Sequence, residues 1–286
     1  MHQPYEKSGI ILINKPKGIS SNAVVNIVKK TLGAKKCGHL GTLDLEGEGL
    51  LPVTVNHATK LFDYFLGKDK TYEANFQFGA ETDTLDTSGK VIKEAGVNFS
   101  ADDLESAVQF FTKKYPQLPP QYSAKKVGGK VAYLEARKGE KVNLKPKEVE
   151  IYSFKVLKKI SKDIYRFEIS CSSGTYIRSL ARDLAYYLGT YGSMQCILRT
   201  RCGGFYLKDA STLEELRAGK FNLIDMDSVF EYEKIYLTDE EFFKLDSGQK
   251  LKSTLSDGKF RLYHNSQFLG VGEVSDGVLK FKLRLY

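Results

Sequence analysis

The chain has 286 residues, with 42% hydrophobic and 27% charged side chains, enough for one large domain or a main domain with a small companion. No stretch approaches the roughly 18 consecutive apolar residues of a membrane-spanning helix, and no two of the four cysteines form the C-x-x-C spacing of a zinc site. A formal net charge of +8 favours a polyanionic partner, because lysine and arginine gain by displacing counterions from phosphates.

In chain order, Gly9 to Asn14 is a short apolar run that predicts a buried strand, and Lys15-Pro16-Lys17-Gly18 breaks it with a turn. Ser20 and Ser21 offer N-caps for a helix carrying Val24, Val25, Ile27, Val28 and Leu32, with Gly33 as its stop. Cys37 to Glu48 is glycine-rich and lacks periodicity, which predicts a loop. Leu50 to Val55 then predicts a strand, and Ala58 to Leu66 a short helix.

Tyr72, Ala74, Phe76 and Phe78 alternate with polar residues, the period of a half-buried strand. Ser100 to Asp103 has the form of a capping box opening a helix through Tyr115, and Pro116, Pro119 and Pro120 force an extended segment after it. Val149 to Val156 and Tyr165 to Cys171 predict two more strands. Ser173-Gly174-Thr175 leads into a helix whose apolar stripe is Ile177, Leu180, Ala181, Leu184 and Leu188, closed by Gly189.

Amphipathic strands mixed with helices, without regular βαβ alternation, predict an α+β fold with a mainly antiparallel sheet. The character changes between Phe205 and Tyr232. After a capped helix from Ser211 to Arg217, the residues from Ile235 onward predict a small β-rich module with turns at Ser247-Gly248, Asp257-Gly258 and Asp276-Gly277. The division is therefore placed at residues 1–228 and 229–286. The cysteines at 37, 171, 196 and 202 are expected as buried, reduced side chains, and the protein as soluble and cytoplasmic.

The segment Gly38-His39-Leu40-Gly41-Thr42-Leu43-Asp44, with Gly47, Gly49 and Pro52 after it, combines tight-turn glycines with one carboxylate. Such an aspartate serves as nucleophile or base, or simply caps a turn, and these residues alone leave both readings open.

The same segment resembles the catalytic motif of the bacterial tRNA pseudouridine-55 synthases. Five further blocks resemble that family in order. These are Lys15 to Ser21, Lys70-Thr71-Tyr72, the acidic turn Gly79 with Thr82-Asp83-Thr84 and Asp86, Pro119 to Lys126 with Tyr133 to Gly139, and Ser173 to Leu184. The resemblance implies isomerisation of a flipped-out T-loop uridine in tRNA, with no cofactor and no metal. It implies Asp44 as catalytic carboxylate, Tyr72 as stacking platform and Arg178 as the partner that keeps Asp44 ionised and oriented. It further implies substrate contacts by His39, Lys15, Leu43, Tyr176 and Ile177. His39 reads equally well as a hydrogen-bonded loop histidine, and the adjacent Arg182 and Asp183 as solvated helix charges.

The C-terminal module resembles the family's PUA-type RNA-binding domain, which implies contact with the acceptor stem beside the T-arm. A monomer is expected. Two departures stand out. Leu45 follows the aspartate where the family usually has proline, and Glu46 and Glu48 make the next turn acidic. Rival readings are a non-catalytic RNA-binding protein on the same scaffold, the same chemistry on another RNA, and a small-molecule lyase.

Overall fold

The computed structural model describes residues 5–122, 126–127, 130–131 and 143–286. The resemblance blocks at Ser123 to Lys125 and Tyr133 to Gly139 lie outside the described residues.

The first part of the chain supplies β1 (Gly9–Lys15), β2 (Cys37–His39), β3 (Glu48–Val55), β4 (Lys70–Phe78), β5 (Ala80–Thr82), β6 (Val91–Glu94) and β7 (Lys114–Gln117). It continues with β8 (Lys126–Val127), β9 (Lys130–Val131), β10 (Lys147–Ser161), β11 (Ile164–Cys171), β12 (Gly192–Cys202), β13 (Phe205–Tyr206) and β14 (Leu223–Ile224). The main sheet runs β14-β1-β3-β12-β4-β11-β10-β7, with β2 beside β3 and β13 beside β12. Its pairings are antiparallel except where β12 meets β3, at Leu198 opposite Glu48 and Arg199 opposite Gly49. The expected α+β class with a mainly antiparallel sheet is the one observed.

Side-chain alternation does the sorting. Tyr165, Phe167, Ile169 and Cys171 of β11 are buried on one face, with Tyr72, Ala74, Phe76 and Phe78 of β4 beside them. That face is covered by α3 (Ala101–Phe111) and α4 (Ile177–Tyr187), whose Leu104, Val108, Leu180 and Leu184 complete the core. Each such large apolar side chain contributes about 1.5–3 kcal/mol on burial. A second core under β1 and β3 is sealed by α1 (Ser21–Leu32) through Val24, Val25 and Val28.

Local signals set several boundaries. Ser20 caps α1 by accepting from the Ala23 amide, and Gly33 ends it in the left-handed region at φ 67°. Ser100 and Asp103 form the expected capping box of α3. That helix stops at Phe111, short of Tyr115, because Lys114–Gln117 is recruited as an edge strand against β10. Pro116 is tolerated there because an edge strand is where a missing amide does least harm.

Other expectations change. Cys37–His39 is a strand, paired with Val53–Val55, where sequence predicts only loop. The helix expected over 58–66 is a 3-10 turn, Asn56–Leu61, followed by the short α2 (Phe62–Leu66). Cys171 and Cys202 are buried but Cys37 and Cys196 are only half-buried, and all four are free thiols. The central strand β12 was not anticipated, because Ser193, Gln195, Thr200 and Arg201 and two register shifts hide its alternation.

The second sheet runs β15-β17-β18-β19-β16, from β15 (Glu233–Tyr236), β16 (Leu251–Lys252), β17 (Gly258–His264), β18 (Gln267–Ser275) and β19 (Val278–Arg284). Asp276-Gly277 is the expected tight turn, with φ 53° and 70°. Asp257-Gly258 instead leads into β17, and the turn between β17 and β18 is Asn265-Ser266, both at positive φ. A capped helix, Asp239–Asp246, interrupts the β module. Val271 and Leu285 pack with Ile10, Leu12 and Leu50, so one apolar cluster joins the second sheet to the main one. Among the described residues no helix is long and apolar enough to cross a membrane.

Candidate active site

The loop between β2 and β3 carries Asp44. Its neighbour Leu43 is buried in the main core, and Ser21 at the start of α1 pins it twice. The Ser21 hydroxyl donates to the Leu43 carbonyl at 2.8 Å and accepts from its amide at 2.9 Å. The Gly47 amide then closes a turn onto the Asp44 carbonyl at 3.0 Å. Gly41 and Gly49 adopt φ of 132° and 99°, which side-chain-bearing residues rarely reach. An anchored backbone thus presents a carboxylate that is 56% exposed.

The Lys15 motif clamps the far side of this loop. The fully buried Lys15 ammonium donates to the carbonyls of Ile19 at 2.7 Å, Pro16 at 2.9 Å and Leu45 at 3.3 Å. Burial pulls its pKa below the usual lysine value, and the charges of Glu48, Asp44 and Glu46 act the other way. The Gly18 amide also donates to Leu45, and Lys17 pairs with Glu46 at 3.2 Å. The acidic turn is thereby matched by the lysines of the first turn.

Arg178 meets this loop from the first turn of α4. Its side chain is 9% exposed, and its Nη2 lies 2.9 Å from Asp44 Oδ2. Its two Nη groups are also held by the Thr84 carbonyl at 2.9 Å, the Tyr122 carbonyl at 3.1 Å and Asp86 Oδ2 at 3.5 Å. Asp86 is fixed in turn by the Thr84 and Ser88 hydroxyls. Leu85, between Thr84 and Asp86, sits at φ 61°, a strained value for a non-glycine residue that shapes this turn.

The start of α4 is braced from β7. Gln117 accepts from the Tyr176 amide at 2.8 Å and donates to the Tyr115 hydroxyl, which reaches Asp183 at 3.3 Å. Arg182 and Asp183 are not solvated charges as expected. They pair at 2.7 Å with little exposure, and Arg182 also donates to the Leu118 carbonyl. Burial raises the Asp183 carboxyl, against the pull of Arg182. A cleft of about 850 Å³ lies behind this network, lined by Leu85, Ile92, Leu118, Pro119, Pro120 and Tyr122, and Asp44 is not among its walls.

The sequence-predicted residues therefore fall into two groups. Asp44 and Arg178 touch directly. Tyr72 shares the main core with Leu43 and Ile177, all nearly buried, and burial pushes its phenol well above the usual tyrosine range. Tyr176 is half-buried and begins α4, and Lys15 holds backbone rather than facing outward. One residue was missed. Arg199 is fully buried, lies opposite Tyr72 on β12, and donates to the carbonyls of Leu50 at 2.8 Å, Gly41 at 3.1 Å and Thr42 at 3.3 Å. Nothing in Leu198-Arg199-Thr200-Arg201 distinguishes an inward arginine from its outward neighbours.

Residues 29–177 match the family model for the N-terminal domain of TruB family pseudouridylate synthases. Residues 234–282 match the model for the C-terminal part of pseudouridine synthase II TruB. The tRNA pseudouridine synthase B of Caldanaerobacter subterraneus is 37% identical over 94% of this chain and 95% of its own length. That of Aquifex aeolicus is 38% identical over 96% of this chain and 98% of its own. This chain belongs to the TruB family of pseudouridylate synthases. In fold it also resembles a solved H/ACA RNP bound to a substrate RNA containing 2'-deoxyuridine, with TM-score 0.69 at 20% identity over 97% of this chain and 85% of that one. A Cbf5–Nop10–Gar1 complex gives TM-score 0.68 at 23% identity, over 93% of this chain and 78% of that one.

Among the described residues no cluster of His, Cys, Asp and Glu has a metal-binding arrangement. In this TruB-family chain His39 is half-buried, and its Nδ1 is buried without a hydrogen-bond partner among the described residues. Burial lowers its pKa from the ordinary 6.5, and the charge of Arg199 lowers it further. The folded state therefore resists a proton that the unfolded chain accepts. Stability from this group is present above the unfolded value of about 6.5 and is lost as pH falls below it. Urea midpoints measured from pH 7.5 to 5.5 are expected to fall in the wild type and to fall less in His39→Asn. Parallel slopes would show that the ring is not desolvated.

Proposed function

We propose that this chain is a tRNA pseudouridine synthase that isomerises the T-loop uridine at position 55, with Asp44 as its catalytic carboxylate. The observation that carries the residue assignment is the 2.9 Å contact between Asp44 and a buried Arg178 that Thr84, Tyr122 and Asp86 also hold. A carboxylate held this way is oriented by a charge-assisted hydrogen bond, as a nucleophile must be.

The reaction breaks the bond from ribose C1′ to uracil N1 and makes one from C1′ to uracil C5. N1 gains a proton and C5 loses one, so nothing is oxidised and no group is transferred to a second molecule. Asp44 attacks either the uracil ring or C1′, and the detached base rotates before it is rejoined. Taking the base out of a stacked loop costs about a few kcal/mol. Stacking on an aromatic platform returns roughly 1–3 kcal/mol, the role assigned here to Tyr72. His39, Leu43, Tyr176 and Ile177 are assigned the remaining contacts around that base. Lys15 acts on it through the loop backbone.

Recognition of the T-arm then rests on loop shape and phosphates, in keeping with the net charge of +8. Residues 1–228 form the catalytic part. Residues 229–286 supply a second, PUA-like RNA contact directed to the acceptor stem, which suits a cytoplasmic enzyme of tRNA maturation. The test is incubation of an unmodified tRNA transcript with the protein alone. One pseudouridine in the T-loop is the expected product, without any added cofactor. Tight tRNA binding with no conversion would overturn the enzyme reading in favour of a binding protein.

A further inference from the structure

Arg199 heads the fully buried side chains by size among the described residues, and it carries a full charge. A buried charge without a carboxylate partner is costly, so its retention calls for a compensating structure. Its guanidinium sits beside the Tyr72 phenol and donates to three backbone carbonyls, whose identities are informative. Gly41 and Thr42 lie on the entry side of the Asp44 loop, and Leu50 on its exit side. The flat guanidinium, with donors in a fixed fork, spans the two sides and sets their separation. An ammonium offers its donors from a single point and lacks that fixed fork.

Backbone geometry tightens the same joint. Arg199 stands opposite Gly49 in the parallel contact of β12 with β3. A Cβ at Gly49 would lie 2.5 Å from the Arg199 carbonyl, so the loop's exit is seated directly on this residue. Its other strand neighbour, across the antiparallel pairing with β4, is Tyr72. One side chain thus touches both ends of the catalytic loop, from a strand whose partner on the other side carries the proposed stacking ring.

We propose that Arg199 is a positioning residue of the catalytic centre, a clamp that fixes the Asp44 loop relative to Tyr72. This rests on the reading of that loop as the reaction centre. Its contribution is geometric: a displacement of about 1 Å at a reacting group costs on the order of 100-fold in rate.

The test is single-turnover conversion of a tRNA transcript at saturating enzyme, with tRNA affinity measured separately. Arg199→Lys is expected to slow conversion about 10- to 100-fold per folded molecule, while Kd for tRNA changes less than about threefold. Hydrogen exchange at the flanking Leu40 and Leu43 amides, bonded to the Pro52 carbonyl and the Ser21 hydroxyl, should quicken in this variant, with the α4 core unchanged. A folded Arg199→Lys protein that converts at the wild-type rate overturns the proposal. If Arg199→Lys does not fold, Gly49→Ala presses on the same joint from outside. Slow conversion with intact tRNA binding is then expected, and a wild-type rate overturns the clamp. Failure of both variants to fold assigns Arg199 to structure alone and also overturns it. Wild-type protein and Asp44→Asn run alongside. If the wild type converts nothing, the functional reading falls, and the hydrogen-exchange result judges the clamp by itself.

Discussion

Asp44→Asn is expected to slow conversion of the T-loop uridine by at least about 1,000-fold, with tRNA affinity and thermal stability almost unchanged. The amide keeps the shape of the side chain and removes the charge that attacks. Stability should hold because the carboxylate is 56% exposed, and a half-exposed ion pair contributes only about 0–1 kcal/mol. Arg178 keeps its contacts to Thr84, Tyr122 and Asp86 in the variant. The loop keeps Ser21 on Leu43 and Lys15 on Leu45. Single-turnover kinetics beside a melting curve separate the two effects. A large drop in melting temperature would mean that Asp44 is a structural anchor, and residual conversion within tenfold of wild type would remove it from the chemistry.

Arg178→Met should show the opposite balance, losing both activity and stability. Its activity loss, about 100- to 1,000-fold, follows from freeing Asp44 to rotate into solvent. The stability loss, about 2 kcal/mol, comes from the other side of the guanidinium. There the carbonyls of Thr84 and Tyr122 and the mostly buried Asp86 lose a charged donor. The figure stays near the low end for a broken buried pair because Thr84 and Ser88 still serve Asp86. Arg178→Lys should recover part of the stability and little of the rate, since one ammonium cannot reach Asp44 and Asp86 in the arginine's fork geometry. Urea midpoints and single-turnover rates on the same preparations check this. Equal recovery of both by lysine would show that charge alone matters.

The departures after Asp44 have a local explanation. Where the family usually has proline, the Leu45 carbonyl is held by the Gly18 amide and the Lys15 ammonium. Hydrogen bonds thus fix a turn that a proline ring would stiffen. Glu46 is matched by Lys17 on the surface, and the charge of Glu48 is felt by buried Lys15. Both acidic side chains therefore answer lysines of the same motif instead of standing unopposed beside Asp44.

The sequence by itself determined the pieces whose physics is local. Alternation set β4 and β11, because each side chain on a strand chooses core or solvent with period two. Ser20 and Ser100 set helix starts, because a cap needs only the next three residues. Six ordered blocks set the family and, with it, the residues to look for. Tertiary structure decided what depends on distant partners. The helix expected to reach Tyr115 was cut short because β10 could pair with Lys114–Gln117. Polar β12 became the sheet's centre because β3 and β4 flank it, which no window along its own length reveals. Arg182, expected in solvent, found Asp183 and the Leu118 carbonyl. Arg199 became the brace of the catalytic loop because chain segments about 150 residues apart meet there, and a charged side chain is stable in a core only where folding delivers acceptors to it.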